Sequence, residues 1–90
     1  MTDIKRHILE YVRSRGPVKT YAIAKHFKLT YGTAQYYVYL LERERLVKVA
    51  KLLSATYVYV DGQDPMEAVT VRDLLTYLAK TLKRHKGKRP

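Results

Sequence analysis

Apolar residues recur along this chain at two different spacings, and the order of those spacings limits the folds it can adopt. From Ile4 to Leu41 they recur every three or four residues, which is the period of an amphipathic helix. From Leu46 to Val60 the pattern changes to stretches rich in Val, Tyr and Leu, which are typical of strands. The helical period returns at Val71. This order predicts a mainly α domain of the α+β class, in which a small β-hairpin precedes a C-terminal helix.

The first helix is predicted to start at Thr2 or Asp3, either of which can cap it, and to run to about Arg15. It must end before Pro17, because proline cannot continue a helix, and a very short strand can follow over 17–19. Leu9 falls outside the inner face, so we expect it to be exposed and to join a subunit interface. The inner face is formed by Ile4, Ile8, Tyr11 and Val12.

Two further helices are predicted before the hairpin, separated by a tight turn at residues 28–29. Thr20 is expected to cap the first, over 21–27, and Thr30 the second, over about 31–44. A threonine hydroxyl suits these positions because it accepts a hydrogen bond from a free amide at a helix start. The residues expected to face inward are Ile23, Ala24 and Phe27 on one helix, and Ala34, Tyr37, Val38 and Leu41 on the other.

The second half of the chain predicts a hairpin and a last helix. The hairpin strands are expected over Leu46–Leu52 and Thr56–Val60, with residues 53–55 as the turn. A loop over 61–65 leads to a helix over about 70–85, because Thr70 and Asp73 have the spacing of a capping box.

The last helix carries an aliphatic stripe that can either close the core of the domain or pair with a second copy of the chain. We favour a homodimer, and we expect one domain over 1–82 that includes this dimerisation helix. A basic tail over 83–90 follows, which either tracks the DNA backbone or only solvates the chain end. The stripe consists of Val71, Leu74, Leu75, Leu78 and Leu82, and with Leu9 it forms the predicted dimer interface.

Charge and composition narrow the functional classes. The 90 residues contain 18 Lys and Arg against 8 Asp and Glu, a net charge of +10 that is typical of a nucleic-acid binder. The lack of cysteine excludes disulfides and thiolate metal sites and fits a cytoplasmic protein. The apolar runs are too short for a membrane span. The three histidines lack metal-ligand spacing and the four glycines stand apart, so we expect no metal, no cofactor and no enzymatic activity.

The stretch from Thr20 to Val60 resembles the winged helix-turn-helix domain of bacterial and archaeal regulators. In that family a small residue stands within the first helix of the motif, as Ala24 does, and a Ser or Thr caps the recognition helix, as Thr30 does. The family usually has Gly where this chain has Arg45, so either Arg45 adopts a strained turn or the turn differs. The segments that carry the resemblance are Tyr21–Ala24, Leu29–Ala34, Tyr37-Val38 with Leu41, and Glu42–Val47.

The resemblance implies a transcription regulator that binds double-stranded DNA as a homodimer. The chain resembles the small stand-alone winged-helix regulators of archaea and their viruses. Its high content of Tyr, Lys and Arg fits a thermophilic source. No small-molecule ligand is evident. A winged helix can also serve as a protein-interaction scaffold, and exposed tyrosines can stack on RNA bases, so both functions are alternatives.

The resemblance also implies which residues contact DNA. The helix over about 31–44 would enter the major groove and the hairpin over 46–60 would contact the backbone. Gln35 suits adenine, Arg43 suits guanine or phosphate, and tyrosine rings suit thymine methyl groups. The predicted contacts on the recognition helix are Thr30, Tyr31, Gly32, Thr33, Gln35, Tyr36, Tyr39 and Arg43. The predicted phosphate contacts are Lys19, Lys25, Lys28, Lys48 and Lys51.

Overall fold

The structure is a computed structural model that describes the backbone of residues 3–87 and the side chains of residues 3–83. The element order confirms the predicted α+β winged helix with a C-terminal helix. The predicted tail over 83–90 lies mostly outside the described side chains. The elements are α1 (Ile4–Arg15), β1 (Val18–Lys19), α2 (Thr20–Phe27), α3 (Tyr31–Arg43), β2 (Lys48–Leu52), β3 (Ala55–Tyr59), a 3-10 turn (Pro65–Ala68) and α4 (Val71–Gly87).

Three of the four α-helices, α1, α3 and α4, start with a side chain that caps a free backbone amide. Asp3 accepts a bond from the amide of Arg6, and Thr70 and Asp73 exchange the two bonds of a capping box. The prediction that Thr20 caps α2 is wrong, because β1 runs directly into this helix and Lys19 is its last extended residue. Thr20 is instead the first helical residue, and its side chain is buried.

The three strands form an antiparallel sheet in the order β1-β3-β2, with two different faces. Val18, Val58 and Val49 lie side by side on the face that packs against the helices. Tyr57 lies on the opposite face, which is turned towards α4, and it is buried there as completely as Val58 is on the inner face. The sheet is therefore a middle layer between the helical core and the C-terminal segment.

The core contains one residue that the sequence pattern placed on the surface. Leu9 is only 8% exposed and packs within the core, so its predicted exposure is wrong. The physical reason is that α1 packs against both α3 and β3, which buries a wider sector of the helix than a single stripe. The buried apolar side chains that form this core are Ile8, Leu9, Val12, Ile23, Ala24, Ala34, Val38, Leu41, Val47 and Val58.

Tight turns in this chain use non-glycine residues with positive φ. Ala55 pairs with Leu52, so the hairpin turn is the two-residue pair Leu53-Ser54, with φ of 52° and 68°, and not the predicted 53–55. Arg45 has a φ of 63°, so it does adopt the left-handed turn at the end of α3. Its amide and the next one donate to carbonyls of the last helical turn, which satisfies the end of α3.

Gln63 joins the end of α1 to the end of the hairpin, a role that no sequence pattern indicates. Its Oε1 accepts a bond from the amide of Val60 at 2.9 Å. Its Nε2 donates to the carbonyl oxygens of Val12 and Arg13, at 2.9 and 3.2 Å. The side chain thus bonds backbone groups of two elements that are about 50 residues apart.

We predict that Gln63→Ala lowers the free energy of unfolding by about 1–3 kcal/mol, because the half-buried Val60 amide loses its acceptor and the carbonyls of Val12 and Arg13 each lose one donor. Urea unfolding followed by circular dichroism measures the change. Gln35→Ala is the matched control, since Gln35 is exposed on α3 and its loss should change stability by less than about 0.5 kcal/mol. Equal stabilities for the two variants would show that the Gln63 bonds contribute nothing.

Candidate nucleic-acid interface

The outer face of α3 is defined by what the helix buries. Ala34, Val38 and Leu41 are buried against the core, so the residues half a turn away must face solvent. Tyr36 and Tyr39 are 58% and 56% exposed on that side. The structure brings the predicted recognition-helix residues together on this exposed surface, which we call the α3 face. It consists of Tyr31, Gly32, Thr33, Gln35, Tyr36, Tyr39 and Arg43.

The start of α3 is held by two threonines. The Thr30 hydroxyl accepts a bond from the Thr33 amide at 3.2 Å and donates to the Thr33 hydroxyl at 2.8 Å. Thr30 is therefore the N-cap of α3, as predicted. The Thr33 hydroxyl accepts the bond from Thr30, so its own proton is available to donate to an acceptor outside the chain. Gly32 follows the cap, and a Cβ added there would meet open space, so packing within the chain does not require glycine.

Exposed basic and aromatic side chains occur on α2 and in the turn that leads to the α3 face. Lys25 and Lys28 are both exposed near the end of α2. The Lys25 ammonium lies 6.0 Å from the ring centre of Tyr21, which is itself exposed. Tyr21 is not among the DNA contacts predicted from the sequence. Its position two residues before the buried Ile23 nevertheless places it on the outer side of α2.

The two lysines predicted on the wing differ in their surroundings. Lys48 forms an exposed ion pair with Asp61 at 2.7 Å, and the hydrogen bond that its ammonium donates to the Asp61 carboxylate raises the pKa of Lys48. Lys51 is exposed further along β2, and the described residues offer it no ion pair. Of the two, Lys51 is the more available for a phosphate.

Lys19 is not grouped with the α3 face. It pairs with Asp73 of α4 at 3.3 Å, and its ammonium lies 5.8 Å from the ring centre of Tyr57, on the outer face of the sheet. The Asp73 pKa is lowered, chiefly by the bond from the Thr70 amide, next by the Thr70 side chain, and to a smaller extent by Lys19. Lys19 therefore links the sheet to the start of α4, in contrast to the other predicted phosphate contacts.

The aliphatic stripe of α4 is solvent-exposed in the single chain, so it does not close the core. Its five members are between 43% and 73% exposed. The start of the stripe is continuous with an apolar groove formed by Leu52, Leu53 and Met66 next to Leu74. A surface of this kind is unusual on a monomer. The predicted stripe residues Val71, Leu74, Leu75, Leu78 and Leu82 are all part of this surface.

Other kinds of site are not evident in the part of the chain that the structure describes. There, His, Asp and Glu side chains form no group of three or more that could hold a metal ion. Among the same residues, no helix combines the length and apolar character that crossing a membrane requires.

We predict that Thr30→Ala lowers the free energy of unfolding by about 1 kcal/mol, because the first turn of α3 loses its cap. Thr30→Ser keeps a hydroxyl in the same place and should unfold at nearly the same urea concentration as the original chain. Chemical denaturation of the three proteins makes the comparison. An Ala variant as stable as the Ser variant would contradict the role of the cap.

A comparison with protein families matches the region that contains this interface. The model of the family described as FaeA-like protein matches residues 4–53, which run from α1 to the hairpin turn. No curated protein and no solved structure matches the chain. The family is of a winged-helix-like helix-turn-helix type, which points to nucleic-acid binding or regulation, and its match does not include α4. This chain belongs to the FaeA-like family of helix-turn-helix proteins.

Proposed function

We propose that this protein is a cytoplasmic transcription regulator that binds specific sequences of double-stranded DNA as a homodimer and performs no catalysis. The observation that carries the proposal is the α3 face. Its first two turns expose amide, hydroxyl and aromatic groups, and the exposed Lys25 and Lys28 precede them in the chain, at the end of α2. A helix with such a surface fits the major groove, where its N-terminal residues meet base edges.

Affinity and specificity would come from different residues. The exposed basic residues Lys25, Lys28, Arg43 and Lys51 are suited to phosphates, which fix position and make binding depend on salt. Gln35 can form two hydrogen bonds with adenine, and within the described residues no hydrogen bond engages its amide. Lys19 and Lys48 already have carboxylate partners, so we expect them to contribute less.

The dimer is proposed from the exposed stripe of α4. The radius of gyration is 15.1 Å, against about 12 Å expected for a compact chain of this length. The longest extent is 56 Å, so the shape is elongated, and a 17-residue α4 contributes about 25 Å of helix. Pairing two copies through this helix would bury the stripe. A two-fold dimer would then present two α3 faces to half-sites about one DNA turn apart.

The proposal is tested by titrating a random duplex library with the protein and sequencing the retained DNA. We expect enrichment of a palindrome. Raising salt from about 50 to about 200 mM should weaken binding by at least roughly a hundredfold, which corresponds to four phosphate contacts. Binding without enrichment would contradict sequence specificity. Absence of binding at low salt would contradict DNA binding and favour a protein-interaction scaffold.

Variants separate base reading from phosphate contact. Gln35→Ala and Tyr36→Ala should weaken binding to the selected site while leaving binding to random duplex nearly unchanged. Lys51→Ala is the control, because loss of a phosphate contact should weaken both kinds of binding by a similar factor. Equal losses on both DNAs for Gln35→Ala and Tyr36→Ala would show that the α3 face does not read bases.

For the dimer, we predict that Leu75→Glu combined with Leu78→Glu yields a folded monomer in sedimentation experiments. Carboxylates within an apolar interface are costly, whereas both leucines are exposed in the single chain and its fold does not need them. The matched control combines Thr76→Glu with Ala79→Glu, which adds the same charge at the same spacing at two exposed positions outside the stripe. The control should remain a dimer. Monomers for both variants, or for the original chain, would contradict this interface.

A further inference from the structure

We infer that the half-site contacted by the α3 face is rich in A·T pairs and is recognised in part through the 5-methyl groups of thymine. This inference rests on the proposed duplex binding and adds the chemistry of the site that is read. It depends on the types of side chain that α3 exposes in its first two and a half turns, and on the lack of charged side chains there.

The N-terminal part of the α3 face carries no charged side chain. Residues 31–39 include no Lys, Arg, Asp or Glu, and the exposed side chains there are aromatic, amide or hydroxyl groups. Guanine is most often read by Arg or Lys, which form two bonds with its O6 and N7. The nearest such residue on α3 is Arg43, about 6 Å further along the axis than Tyr39 and in the last turn. Within the first two and a half turns of α3 there is therefore no reader that matches guanine, and the proposal assigns Lys25 and Lys28 to phosphates.

The same surface suits both members of an A·T pair. Gln35 offers the donor and acceptor that adenine requires in the major groove. The thymine methyl group is apolar and needs an apolar surface, which Tyr36 and Tyr39 provide with rings that are more than half exposed. The ring of the half-buried Tyr37 lies 5.8 Å from that of Tyr36 and supports it from one side.

Gly32 leaves space for the methyl group next to these rings. It lies four residues before Tyr36 and seven before Tyr39, and therefore on the same side of α3. Helical side chains lean towards the N-terminus, so the Tyr36 ring extends towards the turn that contains Gly32 and the Tyr39 ring extends towards the turn that contains Tyr36. A Cβ at Gly32 would have no neighbour within 4 Å. The structure therefore has open space at Gly32, at the N-terminal end of this row of exposed aromatic residues.

The test replaces thymine with deoxyuridine in the selected duplex, which removes only the methyl groups. Within the half-sites we expect binding to weaken about fourfold for each contacted methyl group, the factor for burying one methylene-sized group. The same replacement in the flanking sequence is the control and should have no effect. An unchanged affinity after replacement within the half-sites would overturn the inference while leaving specific duplex binding intact.

Variants assign the effect to the rings. In Tyr36→Phe the ring remains, so the ratio of affinities for thymine and deoxyuridine duplexes should be preserved. In Tyr36→Ala combined with Tyr39→Ala the ratio should approach one. A ratio unchanged in the double Ala variant would overturn the role of the rings. Preference for single-stranded RNA over all duplexes would overturn both the inference and the proposed function, since the rings would then stack on unpaired bases.

Discussion

The burial of one side of α3 is the constraint on which the candidate interface depends. Ala34 is fully buried, and Val38 and Leu41 extend the same stripe into the core. Because a helix is rigid and repeats every 3.6 residues, fixing these three side chains also fixes the direction of Tyr36 and Tyr39. Thr30 fixes where the helix starts. The chemistry of the exposed face thus follows from packing on the opposite face.

The sheet explains why α4 is attached to the domain yet leaves its apolar stripe uncovered. One sheet face packs on the helices through Val58, and the other buries Tyr57 under the C-terminal segment. The pairing of Lys19 with Asp73 links the sheet to the first turn of α4. The leucines further along α4 lie on another side of the helix and remain exposed. The side of α4 that faces the sheet is therefore different from the side that carries the exposed stripe.

The turns show where tertiary structure overrides local preference. Lys28, Arg45, Leu53 and Ser54 all have positive φ, which costs a residue other than glycine about 1 kcal/mol or more. Turn signals in a sequence depend on Gly and Asn, and this hairpin turn contains neither. The sequence pattern therefore predicts a turn over 53–55, one residue longer than the observed pair Leu53-Ser54. Arg45 was recognised as a departure only because the family usually has glycine there. Strand pairing and helix packing on both sides of each turn hold these residues in place.

The sequence by itself determined the element order, the inner and outer faces of α3, and the caps at Thr30 and Thr70. These features depend on local periodicity and on bonds between residues three or four apart. Only the tertiary structure decided that Leu9 is buried, that Gln63 joins α1 to the hairpin, and that Lys19 faces α4. It also decided that the α4 stripe is exposed. The reason is that each of these depends on which element lies opposite, and a local pattern contains no information about contacts between distant segments.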